Sequence, residues 1–341
     1  MNGEFHYYWT WILASEAGLS ETDAEILAIS AQYPDENIDP VRVRTPQGSY
    51  DSVTTHHYGF WSSTAHREIL VPFHFIPGDP EIAAAARRDH APAPWTVTPK
   101  SPIAKRMLIN ALKTRNLYRI GIALHAYADT WAHQNFSGLQ HPANQRPQTS
   151  RSASRLLPPI GHAQYRLKPD ILHSVWHDRR LVPEQQRVVN RDRFFAAARM
   201  IYRYLCTFNH RNPDNWPLVR DRLERLIGPP GHEKSPEERL LDYQIEFGVP
   251  PAARHSWKAE ALLPSPGSAA AASAADSGAA SGQSAAVQEK LRWFRDELLE
   301  RSSLRERAEV TAAAGFYDSH WYRWMEAARA HRGDVEVLLL E

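Results

Sequence analysis

From Asn116 to Phe136 the chain reads Asn-Leu-Tyr-Arg-Ile-Gly-Ile-Ala-Leu-His-Ala-Tyr-Ala-Asp-Thr-Trp-Ala-His-Gln-Asn-Phe, an apolar and aromatic run interrupted at His125, Asp129 and His133. On an α-helix a step of four residues turns a side chain by about 40° and raises it by about 6 Å, so these three groups share one narrow stripe. Burying an unpaired carboxylate is costly. The plain reading, polar groups on a solvated face, fits poorly beside Leu124, Ala128 and Ala132. Two imidazoles and a carboxylate instead suit a zinc, manganese or iron ion held inside a helical bundle.

The surrounding sequence is consistent with such a bundle. Phe5 to Ala17 reads as a buried helix closed by Gly18, and Ser20-Glu21-Thr22-Asp23 resembles a capping box opening a second helix that runs to Tyr33-Pro34-Asp35. Residues 37–55 read as a loop with a short hairpin near Gln47-Gly48, and Val71 to Ile76 as extended chain. Ser101-Pro102 starts a helix, Asn116 caps the one bearing the stripe, and 140–159 is a proline- and serine-rich loop. Further helices are predicted at about 191–209, 214–227 and 236–247. Residues 264–286 are Ala, Ser and Gly with almost no charge, which marks a linker between a helical metal-binding domain, 1–263, and a C-terminal helical segment, 287–341. In that segment Val287 to Arg301 and Leu304 to Arg332 read as amphipathic helices whose Trp293, Phe294, Phe316, Trp321 and Trp324 need the main body or a protein partner to cover them. The predicted fold class is therefore mainly α, a multi-helix bundle.

Composition narrows the chemistry. With 40 Lys and Arg against 39 Asp and Glu, a net charge of +1 supplies no broad field for a polyanion. The lone cysteine, Cys206, excludes an intrachain disulfide and a Cys-based zinc site. The first residues lack a basic segment followed by an apolar run, and no stretch is long enough to span a bilayer, so a cytoplasmic location is expected unless export proceeds without a cleaved signal. The 17 histidines are an unusual number for 341 residues. One helix cannot close a coordination shell. Further candidates are His6 among aromatic residues, Asp35 at a helix C-terminus where a carboxylate is electrostatically disfavoured, His56 in preference to its neighbour His57, and the pair His162 and Asp170. His66 and His74 read as structural, and His173-Ser-Val-Trp-His177-Asp178 is a competing cluster.

The His125-x-x-x-Asp129 pair with His133, the early His6, Pro34-Asp35 and His56 resemble the zinc-dependent phospholipases C and the single-strand nucleases. The chain is closer to an uncharacterised bacterial family with Phe5-His6-Tyr7-Tyr8, Pro72-Phe73-His74-Phe75 and the run His125 to Gln134, a likeness covering residues 1 to about 205. The resemblance implies an all-α bundle like that of phospholipase C, with one to three zinc ions, manganese or iron being substitutes. It implies His6, Asp35, His56, His125, Asp129, His133, His162 and Asp170 as ligands, with Asp129, Asp35 and His133 at the chemistry. It implies hydrolysis of a phosphate ester: a phospholipid, a nucleic acid or a small phosphodiester. Two departures stand out. His133 follows Asp129 by four residues where those enzymes use six, so the cluster is expected to have a different layout or fewer ions. The chain also starts at Met1 without a processed N-terminal Trp, so no ligand from a terminal amine is expected. Two other readings compete: a phosphohydrolase of the His-Asp type built on His56, His177 and Asp178, and a non-catalytic protein with structural ions.

Overall fold

A computed structural model describes residues 1–56, 62–147, 157–251, 256–263 and 307–341. The linker at 264–286 and the helix expected at Val287 to Arg301 lie outside them, as does His57. The described chain is mainly helical. At its centre runs α6 (Leu117–Ala132), capped by the Asn116 side chain on the Arg119 N–H and buried at every residue from Tyr118 to Ala132. A helix apolar all round belongs in the middle of a bundle. Here its neighbours are α2 (Glu21–Glu36), α5 (Pro102–Lys113), α7 (Asn190–Phe208) and, from the far end of the chain, α11 (His320–Leu340). Ser20 and Ser101 cap α2 and α5, as their sequences indicate. Further helices are α1 (Thr10–Glu16), entered through a π-helical turn Glu4–Trp9, α3 (Val71–His74), α4 (Pro80–Ala86), α8 (Trp216–Ile227), α9 (Pro236–Phe247) and α10 (Ser256–Ala261).

Helices α2 and α6 meet at Gly121. A β-carbon there would stand 2.4 Å from Ser30 Cβ and 2.7 Å from the Leu27 carbonyl oxygen. Only hydrogen fits, and this close approach sets the spacing at which residues one turn further along, Ala31 on α2 and His125 on α6, hydrogen-bond at 2.7 Å. Gly121→Ala should force the two helices apart and cost about 1–3 kcal/mol as overpacking, read as a lowered urea midpoint. A variant as stable as the parent would show that the contact yields without cost.

Two local expectations are corrected. Val71 to Ile76 is not extended: a π-helical turn, His66–Leu70, runs directly into α3, and Pro72 sits within this helical run, where it supplies no N–H to the turn before it. Leu304 to Arg332 is not a continuous helical stretch in its described part. Ala308–Thr311 forms strand β5, parallel to β1 (Val41–Thr45), and the final helix starts only after Ser319, whose side chain caps it. An alternating segment beside an open strand edge gains a ladder of backbone hydrogen bonds that an isolated short helix would not supply. Strand β1 also pairs antiparallel with β2 (Gly48–Asp51), Val43 opposite Tyr50, which gives the hairpin at Gln47-Gly48. A second, two-stranded sheet joins β3 (Val175–His177) to β4 (Arg187–Val189).

The core has two main parts. One joins α1, α6, α7 and α8 through residues such as Phe5, Trp9, Leu124, Phe194 and Leu205. The other gathers Tyr33, Val43, Phe73 and Ile122 around Trp321, Trp324 and Met325 of α11, so the C-terminal helix seals the face where α2, α3 and α6 meet. No helix among the described residues is long and apolar enough to cross a membrane.

Candidate metal centre

Asp129 is the hub. Its Oδ1 accepts from the buried Met1 amino group and lies 3.2 Å from His6 Nε2. Its Oδ2 lies 3.4 Å from His74 Nδ1, 3.3 Å from His125 Nε2 and 3.5 Å from His133 Nδ1. One carboxylate thus faces ligand-type nitrogens on both sides. A second carboxylate, Asp35, stands 3.7 Å from both His74 Nδ1 and His125 Nε2. A third, Asp170, lies 3.0 Å from His133 Nε2, 3.4 Å from His162 Nε2 and 3.5 Å from the Met1 nitrogen. Among the described residues, three groups result whose ligand atoms are close enough to hold an ion: His6–His125–Asp129, Asp35–His74–His125 and His133–His162–Asp170.

The tautomers follow from the backbone. His125 Nδ1 donates to the Ala31 carbonyl at 2.7 Å, His74 Nε2 to that of Thr55 at 2.9 Å, His133 Nδ1 to that of His74 at 2.8 Å and His162 Nδ1 to that of Arg166 at 2.7 Å. A carbonyl only accepts, so in each neutral ring the proton sits on that nitrogen and the other nitrogen presents a lone pair. Metal-binding histidines are oriented in this way. His125 Nε2 and His74 Nδ1 then face each other at 3.0 Å, lone pair against lone pair, with Asp35 and Asp129 alongside. Such an arrangement is stable only around shared positive charge. A proton answers part of the demand: burial disfavours it, yet Asp129 and Asp35 together hold His125 above its ordinary pKa. A divalent cation answers it fully.

The fit to a cation extends to the acids. Burial opposes ionisation of Asp129, but His133, the Met1 amine and His125 keep it well below the usual carboxylate range. Asp35 is held down against its burial by His125 and His6, and Asp170 by His162 and the Met1 amine. Burial and the neighbouring His125 push His6 down to about 3, so its ring, stacked on His125 at 3.8 Å, is neutral. These shifts set an acid dependence. His6 binds its proton near pH 6.5 when unfolded and only near pH 3 when folded, so the unfolded chain carries more protons within that window. Stability is complete above it and falls as the pH drops through it. The three carboxylates extend the loss to lower pH, whereas His125 works the other way. Chelator-treated protein should therefore melt at a lower temperature at about pH 5 than at about pH 7; an unchanged melting temperature would contradict this placement of His6.

Exposure locates the mouth. His6, His125 and Asp129 side chains are at most 1% accessible, while Asp35, His56 and His162 reach 27%, 23% and 19%. His56 stands at this rim, its Nδ1 4.0 Å from Asp35 and its ring edge-on to His74 at 4.9 Å, outside the three groups. His6, Asp35, His125, Asp129, His133, His162 and Asp170 are brought together although they come from five separate stretches of chain. His133 does so differently from a third member of a helical stripe. The helix ends at Ala132 rather than continuing towards Phe136, and His133 turns so that Nε2 serves Asp170.

Two groups were not anticipated. His74, read as structural, sits between Asp35 and Asp129; the buried-imidazole argument applied to His6 would have singled it out in the apolar run Val71-Pro-Phe-His-Phe-Ile. The Met1 amine, from which no ligand was expected, lies beside Asp129 as a charge partner: the neighbouring carboxylates hold it protonated against its burial, and it donates to Asp129. The competing cluster does not assemble. His177 is exposed on a strand, not a helix, His173 is exposed, and Asp178 is held by Arg180 at 2.6 Å and by the Tyr165 hydroxyl at 3.1 Å.

A family model described as a family of unknown function (DUF6765) matches residues 1–339. No match was found among curated proteins or among solved structures.

Proposed function

The chain belongs to that family of unknown function, and we propose that it is a metal-dependent hydrolase of phosphate esters, with zinc as the ion. The observation that carries this reading is the pair of opposed lone pairs on His74 and His125 between two carboxylates, at the wall of a partly open site. Asp35–His74–His125 and His133–His162–Asp170 share no residue, so they hold at least two ions, and Asp129 lies beside both. Bound there, the ions lower the pKa of an attacking water, orient the phosphate and neutralise the leaving oxygen.

The chain's own residues supply the rest. Asp129, walled off from solvent, fixes His125 and His133 against both groups. His133 is turned towards Asp170 by the bond from its Nδ1 to the His74 carbonyl, so the two groups are set by one strut. Asp35, the more exposed carboxylate at the mouth, completes the shell and positions the incoming water, with His56 beside it. Phospholipid, nucleic acid and small phosphodiester each offer the phosphate this centre fits.

A His-Asp phosphohydrolase on His177 and Asp178 has less support, since Asp178 is already paired with Arg180. Purely structural ions would call for a closed shell, against which the open side at Asp35 and His56 weighs. Mass-spectrometric metal analysis of the purified protein, followed by assays on a generic phosphodiester, phosphatidylcholine and single-stranded DNA, tests the proposal. Two or more zinc ions per chain and turnover of one substrate class are expected. Stoichiometric zinc without hydrolysis of any of them would favour the structural reading.

A further inference from the structure

Two helices that carry the centre end in carbonyls their own backbone leaves open. Pro34 has no N–H, so within α2 the Ser30 carbonyl lacks its donor four residues on. Trp324 of α11 supplies one, its Nε1 donating at 3.2 Å, while Trp321 donates to the Tyr33 hydroxyl at 3.2 Å. Helix α3 stops at His74, which leaves the Pro72 carbonyl beyond the reach of any helical N–H. His331, also on α11, donates to it from Nε2 at 2.8 Å and stacks on Phe73 at 5.3 Å. Both donors are fully buried. Asp35 follows Pro34 directly, and His74 follows Pro72 by two residues. The same helix is tied to α6 by the Arg119–Asp334 pair at 3.0 Å, on the helix that bears His125.

We propose that His331 and Trp324 are positioning residues for the Asp35–His74–His125 group, so that the C-terminal helix, far along the chain, is part of the metal centre. This rests on the metal-binding reading above. Neither residue touches an ion. His331 satisfies a carbonyl two residues before His74, and Trp324 satisfies one five residues before Asp35 and next to Ala31, whose own carbonyl accepts from His125 Nδ1; each thereby fixes the ligand's approach. The His133–His162–Asp170 group reaches α11 less directly, through the His74 carbonyl that accepts from His133 Nδ1, so its affinity changes less than that of the first group.

The full chain carrying His331→Leu, which removes the donor, is compared with His331→Gln, whose amide keeps an N–H near the Nε2 position. Zinc affinity is measured by chelator competition, in the wild-type and the Asp170→Asn backgrounds. His331→Leu should weaken one class of zinc by about 10–100-fold in both backgrounds, the range seen when a partner behind a ligand is lost, and His331→Gln should restore most of it. Equal weakening by Leu and Gln would reduce His331 to packing and overturn the inference. So would unchanged affinity, or loss confined to the class that Asp170→Asn already removes. If His331→Leu does not fold, Trp324→Phe, which keeps the ring stack and deletes the N–H, gives the same readout, and full zinc affinity there overturns the proposal. Wild-type protein that binds no zinc would overturn the parent reading with it. Wild-type zinc binding with unaffected variants overturns this inference alone.

Discussion

On the proposed reading, replacing Asp129 with Asn should lower the protein's metal content by at least one ion per chain and reduce phosphate-ester hydrolysis to the blank. Asn has the shape of Asp but neither the charge nor the second acceptor oxygen, and both oxygens of Asp129 are in use. Oδ1 faces the Met1 amine and His6, and Oδ2 faces His74, His125 and His133. With an amide there, the His6–His125–Asp129 group loses its anion and the Asp35–His74–His125 group loses the carboxylate behind its two rings. An ion at His133–His162–Asp170 can remain, because Asp170 supplies its own charge. Metal analysis should therefore show at least one ion fewer per chain. Asp178→Asn is the contrasting variant: Asp178 is engaged by Arg180 and Tyr165, so metal content should stay at the parent value. Full metal in Asp129→Asn, or loss in Asp178→Asn, would reverse the assignment of the centre.

Breaking the buried Glu4–Arg239 pair should lower stability by about 3–5 kcal/mol, since a charge left unpaired in the interior keeps its desolvation cost and loses its partner. Arg239 meets Glu4 through two bonds of 2.7 Å, the Tyr243 hydroxyl donates to the same carboxylate at 2.9 Å, and Trp9 donates to Tyr243 at 3.1 Å. Both members of the pair are buried. Glu4 lies in the turn that places Met1 and His6 against Asp129, so the pair ties α9 to the candidate metal centre as well as to the core. Arg239→Met should shift the urea midpoint sharply downwards, and Glu4→Met with Arg239→Met should recover part of the loss, because no buried charge is then left unpaired although the Tyr243 hydroxyl loses its acceptor. A double variant as unstable as the single one would show that the network's hydrogen-bond geometry matters more than its charge.

The order in which these features could be read follows their range along the chain. The Ser20, Ser101 and Asn116 caps, the 3.6-residue apolar repeats and the His125–Asp129 spacing involve residues within a few positions of one another. Local backbone geometry settles such features before any packing occurs. The mainly helical character and the core of the centre were legible for that reason. His74 was not, because its role depends on α3 being helical and on Asp35, 39 residues earlier, arriving 3.7 Å away. Nor was strand β5, which exists only because β1 offers it an edge.

The amino-acid sequence by itself determined which groups are available: a helix too apolar to face water, imidazoles and carboxylates set into it, and prolines that leave carbonyls without donors. Tertiary structure alone decided how they meet. Gly121 lets α2 close on α6, the turn at Glu4 brings Met1 and His6 to Asp129, and α11 holds the ends of α2 and α3. The physical reason is that ligand contacts act over 3–4 Å between residues far apart in the chain. Such distances are fixed only when whole helices pack at one separation, and no local pattern encodes that separation.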